Sequence, residues 1–197
     1  MNNPKNIPIE SVIAKLQHAE GYFDAIKNQW SSWKDSNPYR ILRQANADMT
    51  RYSLILHIDK EPPLQSWSLI IGDIVHNLRC ALDHLVYAIA VHESGKEPPP
   101  LDDKLMFPIC DTDAIFLDQS QRRLATLSTG VRTATEAVQP YNRPHAELPP
   151  LLSILRNFDN RDKHKLIHLV YSAVSLGDIG FCGPALAGGG WQFLPNL

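Results

Sequence analysis

Asp73, His76, Asn77, Cys80, Asp83, His84 and Tyr87 all lie in one stretch, S-W-S-L-I-I-G-D-I-V-H-N-L-R-C-A-L-D-H-L-V-Y-A-I-A-V-H-E-S, from Ser66 to Ser94. Side chains of these types ligate metals, carry protons or make buried hydrogen bonds. Wound as a helix at about 100° per residue, they gather on one side with Arg79 at the border. Ile71, Ile74, Leu78, Ala81, Leu82, Leu85 and Ile89 fall on the other. A polar helix face turned to water normally carries Lys and Glu, which form helices well and are cheaply solvated. Between Ser66 and His92 there is neither. This face therefore reads as a site or as a buried polar network.

A second polar stripe, Asn157, Arg161, His164 and His168, repeats at helical spacing in the segment from Pro149 to about His168. Metal chemistry is one reading of the two stripes. His76 with Cys80, Asp73 with Asn77, Asp83 with Tyr87 and His164 with His168 are spaced four apart, which puts both members of a pair on one helix face. No HExxH accompanies them, and bundle metal sites usually bring Glu from several helices, so no metal ligand and no cofactor are assigned. The structural reading sets Asp73, His76, Asn77 and His84 against Asn157, Arg161, Asp162 and His164 as a paired polar layer that fixes helix register. The chain is then a binding or interaction module. Cys80 is read as a small buried residue rather than a nucleophile.

The elements that would position these residues are mostly helical. Val12, Leu16, Ala19, Phe23, Ile26, Trp30 and Trp33 form the a/d seam of a helix from Pro8 to Trp33. Trp30 and Trp33 also have the shape to stack a base. Y-R-I-L-R-Q-A and R-Y-S-L-I-L-H-I-D read as a β-hairpin over about 39–59. Ser66 or Ser68 is the expected N-cap of the central helix. After Ser94 come a Pro-rich linker, the extended L-M-F-P-I-C, a helix within Asp111–Leu127 burying Ile115, Phe116 and Leu124, and a short helix stopped at Gln139-Pro140. Leu151, Ile154, Leu155 and Phe158 are the expected buried stripe of the last helix, and L-I-H-L-V-Y-S-A-V has the composition of a short C-terminal strand. The expected fold is mainly α: an antiparallel bundle of four to five helices with an inserted β-hairpin. It occupies residues 1–175 as one domain, followed by a Gly/Pro-rich tail at 176–197. The central helix and the 149–168 helix are expected to be neighbours, with His76 or His84 in reach of Asp162 or His164.

Composition narrows the partners. The chain has 197 residues, 44% hydrophobic and 20% charged, with a formal net charge of −2. No global basic field draws it to nucleic acid or anionic lipid, although a local basic cleft fits within a neutral total. Its three cysteines, Cys80, Cys110 and Cys182, form no CxxC pair, so neither a disulfide framework nor a zinc ribbon is indicated. The start M-N-N-P-K-N lacks an apolar signal core, and no run is expected to span a bilayer, so a cytoplasmic location without membrane contact is expected.

I-I-G-D-I-V-H-N-L-R-C-A-L-D-H-L-V-Y and N-R-D-K-H-K-L, with F-P-I and V-Q-P-Y between them, resemble a large family of bacterial hypothetical proteins. The resemblance covers roughly residues 39–174 and implies a helical bundle with a hairpin and no assigned activity. That family's second motif often has an apolar residue where this chain has Arg161. Asp73, Asp83, Arg161, Asp162, Lys163 and His164 form the expected binding set. Arg79, four intervening residues and His84 also resemble the mark of the HEPN superfamily, helical bundles that include metal-independent ribonucleases. That resemblance implies an RNA substrate and a cleft between two protomers of a homodimer; Cys80 departs from the polar residue that often follows the Arg. His84 would take the ribose 2′-OH proton and Arg79 would bind the phosphate, with Asn77 and His76 beside them. A five-residue step turns about 500°, so the pair stands about 140° apart on a straight helix. The competing arrangement pairs Arg79 with Asp83, one turn on. RNA, a nucleotide and a second copy of the chain are thus the expected partners.

Overall fold

The computed structural model describes residues 7–50, 52–142 and 150–162. Lys163, His164, His168, the expected C-terminal strand and the tail lie outside them. Within them the chain is mainly helical, with one two-stranded antiparallel hairpin.

Helix α1 runs Glu10–Asp35. Strands β1, Tyr39–Ala45, and β2, Tyr52–Ile58, pair from Tyr39 opposite Ile58 to Ala45 opposite Tyr52. Helix α2, Leu64–Ser94, is the spine. Three shorter helices follow: α3 at Asp113–Arg123, α4 at Thr129–Ala137 and α5 at Leu151–Asp162. Thr112 and Ser128 cap α3 and α4 by accepting from the N–H of Ile115 and Val131. Gly95 ends α2 at φ +65°, a left-handed position that glycine takes without a Cβ penalty, and its N–H closes onto the Val91 carbonyl. Neither Ser66 nor Ser68 caps α2. Ser68 already lies inside the helix and its hydroxyl donates to the Leu64 carbonyl at 2.7 Å.

Two cores share α2. At its start Trp67 packs edge-on to Trp33 and beside Trp30, while Lys15 of α1 donates to Asn77 farther along, so the two helices run antiparallel. Around its second half, Val86 and Ala90 join Phe107, Ile109, Leu124 and Leu127, with Leu152 of α5 packed against them. Gln139, fully buried, ties this second core together. It accepts from the Cys110 N–H and donates to the carbonyls of Pro108 and Thr135.

The expected α1 seam is only half covered. Ala19 and Trp33 are buried and Val12 and Ile26 half-buried, but Leu16, Phe23 and Trp30 are exposed by 47%, 59% and 40%. One partner helix covers one stripe, and α2 sits on the Val12–Ala19–Ile26–Trp33 side. Two other expected core residues, Ile115 and Leu151, are also exposed, and Phe158 sits at the surface. In α5 the fully buried residue is Asp159. Contrary to the sequence expectation, α2 is long and apolar enough by length and composition to cross a bilayer. Asp73, His76, Arg79, Asp83 and His84 lie along its middle, where each would be costly in hydrocarbon.

Candidate functional site

The polar face of α2 divides in two. One side, Gly72, His76 and Cys80, meets α5, which runs antiparallel to α2. The other, Arg79 and Asp83, meets the extended segment that contains Phe107.

Gly72 brings α2 and α5 together. A Cβ at this position would stand 2.8 Å from Asp162 Cγ and 2.9 Å from Oδ2, inside van der Waals contact. Glycine leaves the space that the Asp162 carboxylate occupies against α2. One turn on, Asp159 turns its carboxylate toward the His76 ring, with Oδ1 at 4.0 Å from Nδ1. That is ion-pair range and too long for a direct hydrogen bond. On the opposite ring nitrogen, Nε2 lies 3.4 Å from Cys80 Sγ. Asp159 is 4% exposed while the His76 side chain is 56% exposed, so the row runs from a buried carboxylate through an open imidazole to a half-buried thiol. Asn77 is buried next to it; it donates to the Asp73 carbonyl at 2.8 Å and accepts from Lys15 Nζ at 3.4 Å. The Asp73 side chain itself is exposed.

On the other side, Arg79 Nη2 donates to Asp83 Oδ1 at 3.0 Å and to the Phe107 carbonyl at 2.7 Å. Asp83 Oδ1 accepts in turn from the Phe107 N–H at 2.8 Å. The pair thus grips both backbone groups of Phe107 and anchors the extended segment to α2. The Arg79 side chain is 11% exposed. Farther along, Arg156 of α5 donates to the Ile109 carbonyl and to Asp111, and this guanidinium holds the Asp111 carboxyl below the usual carboxylate range.

The structure makes α2 and α5 neighbours, as expected, but Asp162 lies against Gly72, and the carboxylate beside His76 is that of Asp159, outside the expected sets. It separates Arg79 and Asp83 from them, and His84 stands half-buried, one turn beyond Cys80. Arg161 and Asn157 face solvent. Asp159 escaped the sequence reading because it sits among Leu155, Phe158 and Asp162, where an apolar stripe was expected; its signal was the three-residue spacing to Asp162. Among the described residues no three His, Cys, Asp or Glu side chains are grouped to hold a metal ion. The His76 ring explains this locally: its two nitrogens point to Cys80 and Asp159 in different directions, so the three share no common centre. Burial pushes the thiol of Cys110, nearly inaccessible behind Gln139, upward, whereas Cys80 is within reach of solvent. Comparison of the chain with protein-family models, curated proteins and solved structures finds no match.

Proposed function

We propose that this chain is a cytoplasmic, non-enzymatic helical interaction module that pairs with a second copy of itself through α1, and that the polar face of α2 holds its helices in register. The observation that carries this reading is the uncovered row on α1. Ile9, Leu16, Phe23 and Trp30 recur every seven residues, and all are exposed. Seven-residue spacing along a helix is the pattern that seats on another helix of the same pattern. A second α1 supplies that partner. In an antiparallel pair centred on Phe23, Leu16 faces the second copy's Trp30, so the apolar positions match.

The hairpin is a second exposed surface. Both strands are exposed along their whole length. One face collects Tyr39, Ile41, Leu54, Leu56 and Ile58, and Arg43 lies over the Tyr52 ring at 3.9 Å.

The state of Arg79 supports a structural role for the α2 face. Its guanidinium is engaged by Asp83 and Phe107 and offers little surface to a phosphate. The ribonuclease reading requires those bonds to open.

Sedimentation velocity on the full chain tests the reading. Wild type is expected to sediment as a dimer at micromolar concentration and Leu16→Asp/Phe23→Asp as a folded monomer. A monomeric wild type overturns it. If the double substitution unfolds the chain instead, Leu16 and Phe23 support the fold of the single chain, and the reading fails in that way.

A further inference from the structure

We propose that Cys80 is a reactive thiol site for small-molecule disulfides, with His76 as its proton acceptor and Asp159 as the residue that positions the imidazole. Three side chains from two helices line up in the order thiol, imidazole, carboxylate. Cys80 and His76 are one turn apart on α2, which brings Sγ to 3.4 Å from Nε2. Asp159 arrives from α5 on the Nδ1 side at 4.0 Å. A carboxylate facing Nδ1 favours the tautomer that carries its proton there, leaving Nε2 free to accept from the thiol. The carboxylate is buried, whereas the imidazole is open to an incoming reagent.

The class of electrophile follows from the backbone. Cys80 lies in the middle of a 31-residue helix, where each N–H is directed to the carbonyl one turn back. No backbone N–H of α2 beside Cys80 is left to stabilise an oxyanion, so acyl transfer lacks that aid from this helix. Attack on a disulfide develops charge on sulfur along the S–S axis and needs no such donor. In the step, the Sγ proton passes to His76 Nε2 and the sulfur attacks one sulfur of R–S–S–R. The Cys80 Sγ–S bond forms as the S–S bond breaks, and the departing thiolate takes the proton back from His76 as R–SH. Cys80 is oxidised to a mixed disulfide and the reagent's other half is reduced to a thiol.

The test incubates the full chain with oxidised glutathione near neutral pH and follows each cysteine by peptide mass spectrometry. This separates Cys80 from Cys110, and from Cys182, which lies outside the described residues. Cys80 is expected to form the mixed disulfide at least tenfold faster in wild type than in His76→Gln, with Cys110 unmodified. Asp159→Asn is expected to slow Cys80 several-fold and Asp159→Glu to restore most of that loss, because it returns a carboxylate to the Nδ1 side. His76 is exposed, so its substitution is expected to leave the circular dichroism spectrum unchanged. An equal Cys80 rate in wild type and His76→Gln overturns the proposal, as does glutathionylation confined to Cys182. Equal rates in Asp159→Asn and Asp159→Glu overturn the part given to Asp159.

Discussion

Replacing Arg79 with Met distinguishes an anchoring role from a phosphate-binding one. The guanidinium makes a 2.7 Å bond to the Phe107 carbonyl and a 3.0 Å bond to Asp83. Hydrogen bonds from a charged donor are worth about 1.5–3 kcal/mol each when largely buried. Asp83 keeps the Phe107 N–H after the substitution, and its carboxylate, 30% exposed, is partly rehydrated. Methionine also keeps the volume of the aliphatic stem, so little packing is lost. The net loss is therefore about 2–3 kcal/mol, mainly from the orphaned Phe107 carbonyl and the lost ion pair. At ~2–4 °C per kcal/mol for a chain of this size, the melting temperature should fall by roughly 4–12 °C. Calorimetry or urea unfolding measures it, and mixed single-stranded RNA incubated in chelator is assayed in parallel. The anchoring role predicts a large stability loss and intact RNA with both proteins. A melting temperature within about 1 °C of wild type, together with wild-type RNA cleavage that the substitution abolishes, would refute the reasoning and restore Arg79 as a phosphate ligand.

Two further outcomes follow from the seam and from the α4–α5 region. Gly72→Ala would stabilise an ordinary helix interior by about 1 kcal/mol, but here the new methyl meets the Asp162 carboxylate. Denaturant unfolding should therefore show that most of this gain is cancelled, because the Asp162 carboxylate has to swing aside, and a full gain of about 1 kcal/mol would mean that the carboxylate does not lie against Gly72. Burial and the hydrogen bond to Glu136 push the Tyr141 phenol up to about 12. Between pH 10 and 12 the unfolded chain releases this proton while the folded chain keeps it, so stability declines as pH rises through that window and is undiminished below it. The alkaline fall in melting temperature should be shallower in Tyr141→Phe; identical slopes would place the phenol in solvent.

The local pattern of residues determined most of the elements. Alternating apolar residues around a short polar turn specify the hairpin, because strand side chains repeat every two residues whatever surrounds them. The apolar stripe and uninterrupted length of α2 specify a long helix, and Pro140 stops the segment before it for reasons internal to the backbone. That the central helix carries an unusual polar face was also legible, since the absence of Lys and Glu is a matter of composition. What each polar residue does was not. Arg79 and Asp83 differ from His76 and Cys80 by less than one turn in sequence, yet the first pair holds the Phe107 backbone and the second faces α5. Which neighbour lies over which side of a helix depends on packing between segments tens of residues apart. The same holds for α1, where two seven-residue rows look equivalent in sequence and α2 covers just one. Asp159 is the sharpest case. Its place in an apparently apolar stripe became meaningful only when α5 packed against α2 and buried it beside His76.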